Sequence, residues 1–297
     1  MKFYRVYIEL TNICGLACSF CPPKTLPNQT MSLAFFESIL TQLQPYTKEL
    51  AYHIVGDPLT LSNLKEYLDI TKAKGFRVAL TTSGYFLGKR DVKLLLHPAI
   101  KQVNISLNSY NKNSMPLSLE AYMAPIVEFC KLKQTLRKEM FINLRVWNMD
   151  EAHSEKAFNQ TLFALLENAF SLPLHVREID EARPKSIRLE EKTLLHFDSY
   201  FEWPNLQSSH QSEGTCQGLS SHFGILSSGI VVPCCLDKDG IIALGDLHVS
   251  PLKEILSFFR TKAIQQGFKQ GRAVELLCQK CAYKERFKEN DDVRETL

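Results

Sequence analysis

The sequence predicts an α/β fold, a curved and open sheet of six parallel strands followed by a small cysteine-rich extension. Two observations carry this expectation. Apolar, β-branched runs alternate with amphipathic helical stretches over the first two-thirds of the chain, and strand–helix alternation with right-handed crossovers builds a parallel sheet. After about residue 183 the alternation breaks, and five of the nine cysteines fall between positions 216 and 281.

Strands are expected at 3–10, 51–55, 76–82, 102–107, 141–147 and 173–179, where Val, Ile, Phe and Tyr concentrate. Helices are expected near 32–44, 62–74, 91–96, 119–138 and 154–169, with Ser32 and Ser62 as N-caps and Gly75 as a stop. Six such units are too few to close an eight-fold barrel, so the fold is a partial (β/α)6 barrel over residues 1–183. In such sheets ligands collect at the carboxyl ends of the strands. Residues 184–214 are polar and read as a linker with one short helix around 189–200. Residues 215–287 form the extension, with a hairpin at 223–233 turning at Ser227-Ser228-Gly229 and a helix near 251–265. Residues 288–297 are a charged tail.

The 297 residues are 45% hydrophobic and 23% charged, the balance of a globular protein with a sizeable core. A net charge of +3 with scattered basic residues gives no footprint for nucleic acid. No apolar run is long enough to span a bilayer, and the N-terminus lacks the layout of a signal peptide, so a cytoplasmic location is expected. In a reducing compartment clustered cysteines bind metal or do chemistry more often than they form disulfides.

Cys14-Gly-Leu-Ala-Cys18-Ser-Phe-Cys21 places three thiols on the loop leaving the first strand. Three thiolates can hold three corners of a [4Fe–4S] cube and leave the fourth iron open. The alternative is a zinc site, with His53 as fourth ligand after folding.

The triplet, its strand-exit position, Thr11-Asn12 before it and aromatic Phe20 before the last cysteine resemble the radical S-adenosylmethionine superfamily. The resemblance implies that the open iron chelates S-adenosylmethionine, and that one electron then cleaves it to a 5′-deoxyadenosyl radical that abstracts hydrogen from substrate. A low-potential donor such as flavodoxin or ferredoxin would supply the electron. Val55-Gly56-Asp57-Pro58 stands where the family shows Gly-Gly-Glu-Pro and holds the methionine amino group, here with Asp for Glu and Val for the first Gly. Besides Phe20, Gly56 and Asp57, the cofactor-binding candidates are Ser83, Ser106 and Asn108 at the ends of strands three and four, and Arg145 in strand five. Ordinary turn chemistry is the competing explanation for the loop residues, and an outward-facing strand position for Arg145.

Cys216-x12-Gly229-x4-Cys234 followed by Cys278-x2-Cys281 resembles the SPASM/twitch extension of that superfamily, which carries auxiliary [4Fe–4S] clusters. A full SPASM domain has seven cysteines for two clusters. This chain offers five, enough for one, held by Cys216, Cys234, Cys278 and Cys281, with Cys235 a spare or a replacement for Cys234. A structural zinc knuckle is the alternative. Cys130, mid-helix on an apolar face, reads as a small buried hydrophobe.

At the end of the sixth expected strand, Arg177, Glu178, Asp180 and Arg183 are candidates to hold substrate, with Glu178 and Asp180 as the groups that deprotonate it. The expected function is a radical S-adenosylmethionine oxidoreductase or maturase that modifies or oxidises a peptide or protein. A small-molecule dehydrogenase or cyclase is the alternative. The chain shows neither an extra N-terminal domain of the leader-capturing kind nor the C-terminal arginine-glycine pair of the molybdopterin-synthesis cyclase. Readings of another class are a non-catalytic electron carrier and a zinc-binding scaffold.

Overall fold

The computed structural model describes residues 2–147, 156–182, 184–200, 202–209 and 212–287. Its centre is a sheet that runs in the order β10-β9-β8-β1-β2-β3-β4-β5-β7-β6 and does not close. The strands are β1 (Arg5–Ile8), β2 (Glu49–Tyr52), β3 (Arg77–Thr82), β4 (Ile100–Ser106), β5 (Phe141–Trp147), β6 (Ser186–Glu190), β7 (Thr193–Asp198), β8 (His222–Ile225), β9 (Ile230–Val232) and β10 (Gly245–Asp246). From β8 through β1 to β5 and β7 every pairing is parallel, while β6, β9 and β10 are antiparallel additions at the two edges.

The helices α1 (Leu33–Leu43), α2 (Leu64–Ala73), α3 (Asn108–Asn111), α4 (Leu119–Thr135), α5 (Lys156–Phe170) and α6 (Val176–Ala182) accompany the barrel strands. The extension adds α7 (Leu252–Ser257), α8 (Phe259–Lys269) and α9 (Leu276–Gln279). Helix α1 starts where Ser32 Oγ accepts the Phe35 amide at 3.3 Å, and buries Phe36, Ile39, Leu40 and Leu43, the spacing of one helical face. Ser62 does not cap α2; the cap position is Asn63, whose side chain makes no capping bond. Gly75 stops the following turn with φ of 78°, the left-handed geometry glycine permits.

Strand alternation divides the sheet into two faces. Val6 and Ile8, Ile142, Leu144 and Val146, and Leu195 and Phe197 are buried in the main hydrophobic core. The alternate positions, including Tyr7, Asn143, Arg145 and His196, face the inner side of the curve and line a cavity there. Cys130 is buried in α4, as its apolar surroundings foretell.

One strand differs from expectation. Residues 176–182 form helix α6, with the Ile179 amide bonded to His175 O at 3.0 Å, so the region 173–179 supplies no strand. The sixth barrel strand is β7, inside the segment expected to be linker and helix. Its alternation is plain in the structure: Thr193, Leu195 and Phe197 are buried and Leu194, His196 and Asp198 less so. The polar run Glu190-Glu191-Lys192 is the tight connection of the β6–β7 hairpin, with Lys192 at φ of 57°.

At Gly56 a Cβ would stand 1.9 Å from Thr11 O, a backbone contact that no side-chain rotation relieves. Replacing Gly56 by Ala is expected to lower unfolding free energy by about 1–3 kcal/mol, measured by urea titration of the metal-free chain. Unchanged stability would contradict the packing of these two loops.

Candidate functional site

The triplet loop is clamped at its base. Asn12 Nδ2 donates to Pro27 O at 2.7 Å, and Asn12 Oδ1 accepts the Gln29 amide at 2.9 Å. Thr11 Oγ1 donates to Gln29 O at 3.1 Å. The Thr11-Asn12 pair therefore holds the two ends of the cysteine loop together. On the other side, Asn113 Nδ2 lies 2.8 Å from Cys18 Sγ and 2.8 Å from Ser109 O, while Asn113 Oδ1 accepts the Ala17 amide at 3.0 Å. Hydrogen bonds from Cys21 first, then Asn113 and Ser109, hold the Cys18 thiol down at about 6. The bond to Cys18 and burial push Cys21 up, and burial pushes Cys14 up to about 12. Phe20 packs edge-on against Trp147 at 4.5 Å between centroids, which fixes the loop against the end of β5.

The strand exits meet beside this loop. The Asp57 amide donates to Ile13 O at 3.0 Å, which joins the end of β2 to the approach to Cys14. The Asp57 carboxylate is 2% exposed and accepts Leu59 N at 3.0 Å, Thr82 Oγ1 at 2.9 Å, Ser83 N at 2.9 Å and Ser83 Oγ at 2.7 Å. Burial raises its pKa and these donors oppose that. Asp57 and Ser83, both expected to bind cofactor, are thus brought together and their polar atoms satisfy one another. Asn108 likewise spends its Oδ1 on the Trp147 amide at 2.9 Å. Ser106 pairs in register with Arg145, whose Nη2 donates to Asp198 at 3.0 Å. Arg145 faces inward.

The extension brings its cysteines to one place. Burial raises the pKa of all three of Cys216, Cys234 and Cys278; Cys281 adds to the rise at Cys216, Cys235 and then Cys216 and Cys278 at Cys234, and Cys216 and Cys281 at Cys278. Cys235 lines the same cavity, interacts with Cys234 and Cys216, and has a hydrogen bond with the Tyr7 hydroxyl. Lys284 is 2% exposed and donates to Cys278 O at 3.2 Å, Gln279 O at 2.8 Å and Cys281 O at 3.1 Å, which ties off the knuckle. Among the described residues no three His, Cys, Asp or Glu side chains converge as they would around one ion, so the fit rests on the donors. Two groups of thiols, three beside strand exits and four in the extension, are the donor sets of an open cubane and a closed one.

A cavity of about 470 Å³ lies between the inner face of the sheet and the extension. His53, Asn104 and Arg145 line one side and Cys216, Cys234 and Cys278 the other. Burial first, then Arg145 and Arg5, depress the His53 pKa to about 4, so its ring is neutral at pH 7. Glu178 is exposed on α6 and does not line this cavity, because the segment that carries it is a helix. The side chains of Arg177 and Asp180, and all of Arg183, lie outside the described residues. Asn113, Lys284 and Glu9 are contributions that the sequence reading missed. Glu9 Oε2 accepts Ser227 N at 3.1 Å and Ser227 Oγ at 2.8 Å, which fastens the extension's hairpin to the end of β1. An acidic residue inside the apolar run of the first strand was its available signal.

Two outcomes follow for the reconstituted protein. Asn113→Leu is expected to keep its iron and to lower the midpoint potential of the N-terminal cluster, since hydrogen bonds to the sulfurs favour the reduced state; a shift on the order of 60 mV matches one such bond. An EPR-monitored redox titration reads it. Lys284→Met is expected to bring the iron content from about eight per chain to about four, as the knuckle opens.

Comparison with known proteins places these features. Residues 8–144 match the radical SAM superfamily and residues 216–282 match the SPASM iron–sulfur cluster-binding domain. A GTP 3′,8-cyclase from Aquifex aeolicus (strain VF5) is 29% identical over 160 residues, so that the chain spans about half the length of this curated relative: 48% of this chain and 49% of that protein. Among solved structures, BtrN in complex with AdoMet and 2-DOIA superposes with a TM-score of 0.62 at 15% identity, over 95% of this chain and 94% of that one. Streptococcus suis SuiB bound to S-adenosylmethionine gives 0.59 at 14% identity, over 94% and 72%. These identities speak for the fold. The two matched regions give the chain a radical SAM superfamily domain that holds the cysteine triplet, followed by a SPASM iron–sulfur cluster-binding domain that holds five further cysteines.

Proposed function

We propose that the chain oxidises a compact polar group within the cavity between the inner face of its sheet and the cysteines of its extension. The observation that carries this reading is the cavity itself, which has the polar inner face of the barrel on one wall and the auxiliary cysteines on the other. About 470 Å³, part of it beside the cysteines, suits one small molecule or one side chain of a peptide. Both substrate kinds occur on this fold, since BtrN is solved with 2-DOIA and SuiB with the precursor peptide SuiA; that is an analogy of fold.

Cys14, Cys18 and Cys21 would hold the cluster that binds S-adenosylmethionine, and Cys216, Cys234, Cys278 and Cys281 the auxiliary one. When bound, these groups supply a hydrogen-abstracting 5′-deoxyadenosyl radical and an electron acceptor, and flavodoxin or ferredoxin would supply the initiating electron. The oxidation then balances if the substrate gives up one hydrogen atom, one proton and one electron. His196 is the residue we assign to the proton, in place of Glu178 and Asp180. Its Nδ1 lies 3.0 Å from Lys185 O. A carbonyl only accepts, so Nδ1 carries the proton and Nε2 the lone pair. Burial, then Arg145, lower its pKa and keep the ring neutral and able to accept. The Asp198 carboxylate is engaged by Arg145 and Arg286, which both donate to it, at 3.0 and 3.1 Å.

The test begins with 5′-deoxyadenosine formation by the dithionite-reduced protein. Wild type is expected to form it, and the Cys14/Cys18/Cys21→Ala variant to form none; equal yields from both would end this reading. Extract fractions below and above about 1 kDa, screened for stimulation, separate small-molecule from peptide substrates. His196→Gln is expected to retain basal cleavage and to lose about 10²- to 10⁴-fold in kcat for substrate oxidation.

A further inference from the structure

The charged groups that line the cavity are nearly all engaged. Arg145 is bonded to Asp198 at 3.0 Å. The Asp237 carboxylate accepts the amides of Ile241 and Ile242 at 2.9 and 2.8 Å. Lys284 spends its ammonium on the knuckle carbonyls of Cys278, Gln279 and Cys281. Arg5 differs. Its Nε is buried without a hydrogen-bond partner, and the groups it meets among the described residues are the Tyr7 hydroxyl, the Tyr4 ring at 5.4 Å and, through its charge, the Cys235 thiol and the rings of His53 and His222. No carboxylate among the described residues stands within ion-pair distance of it. A guanidinium in such a place is costly unless an anion completes it.

Register fixes where Arg5 stands relative to the chemistry. Val6, the next residue, is level with Leu50, Val78 and Ile100 at the amino ends of the strands. Arg145 is level with Ser106, six residues further along β4. About 3.3 Å per residue separates the two levels by about 20 Å of strand, which two arginine side chains shorten from either end. Between them lie His53 and the amide ladder in which Gln102 and Asn143 both donate to Asn104 Oδ1, at 2.7 and 3.1 Å. Asn143 Oδ1 and Arg5 Nε are both left without partners, an acceptor and a donor at different depths of one cavity.

We infer that the substrate carries an anionic group, a carboxylate or a phosphate, which seats on Arg5 at the end of the cavity remote from the cysteine triplet. Its hydroxyl or amino groups meet the amide ladder, and its reacting carbon lies at the level of Arg145 and Ser106. This rests on the oxidation reading above and adds the class of substrate. The same polarity makes the site poor for an apolar or cationic side chain, which would leave the Arg5 charge and its buried Nε unmatched. His53 and His222 add donors and acceptors without charge, since burial first and Arg5 among the charges hold both near 4.

The experiment uses the anaerobically reconstituted full chain at fixed ionic strength. Inorganic phosphate, succinate and neutral glycerol are titrated in turn while thermal unfolding is followed. Wild type is expected to show a saturable rise in Tm with phosphate or succinate and none with glycerol, and the favoured anion tells phosphate from carboxylate. In Arg5→Gln the half-saturating concentration should rise about tenfold to a hundredfold, the effect of one hydrogen bond to a charged group, and Arg5→Lys should lie between. Should the Gln variant fail to hold its iron, phenylglyoxal labelling of wild type replaces it. Arg5 is then expected to react slowly with the anion present and faster without, read by peptide mass spectrometry. No saturable anion effect in wild type, equal affinity in Arg5→Gln, or labelling indifferent to the anion would overturn the inference. Basal 5′-deoxyadenosine formation is measured on the same samples. Its presence without an anion effect removes this inference alone; its absence removes the oxidation reading beneath it.

Discussion

The buried carboxylate of Asp57 is the interaction on which the arrangement of the barrel mouth depends. A single residue there receives four donors from its own loop and from the end of β3, while its amide reaches back to Ile13 beside Cys14. Each hydrogen bond to a buried charge is worth about 1.5–3 kcal/mol. The exits of β1, β2 and β3 thereby become one piece, and the close contact at Gly56 follows from it. Where the superfamily usually has Glu, the shorter Asp reaches Thr82 and Ser83 because the loops stand so near. The residue's role in this chain is to hold the strand exits together.

Much of this was legible in the sequence because the relevant signals are local. The triplet spacing, the Gly56 turn, the hairpin at Ser227-Ser228-Gly229 and the Cys278–Cys281 knuckle are each written in a few adjacent residues. The sixth strand was not. Thr193-Leu-Leu-His-Phe-Asp198 has one face in the core and the other in a polar cavity, and it follows a charged hairpin turn. An apolar strand two turns earlier in the sequence, at 173–179, looked the better candidate, yet α6 takes that region. Glu178 and Asp180 were assigned from that false strand end. His196, proposed in their place, stands on the true one.

Asn113 and Glu9 could not be read in the same way, since each acts across a long sequence separation. Asn113 reaches Cys18, and Glu9 reaches Ser227. Only the folded chain makes neighbours of them. Their side chains are ordinary loop or strand residues by type, and nothing in the local pattern sets them apart except that an acid is rare inside an apolar run.

The sheet also explains how the extension can serve the same cavity as the barrel. β8 pairs in parallel with β1, Arg5 opposite His222 through Ile8 opposite Ile225, so the hairpin that delivers Cys234 continues the barrel's own hydrogen-bonded ladder. A linker would let the two cysteine groups wander; a shared sheet fixes their separation as firmly as any two strands. The hydrophobic stability of that sheet comes from its outer face, where Val6, Ile8, Leu144 and Leu195 are fully buried. The inner face is therefore free to be polar. It carries arginine, histidine and amide groups that a core would reject, and it does so facing the thiols of the extension across one cavity. A fold that places its stability on one side of a sheet can hold reactive chemistry on the other without unfolding around it.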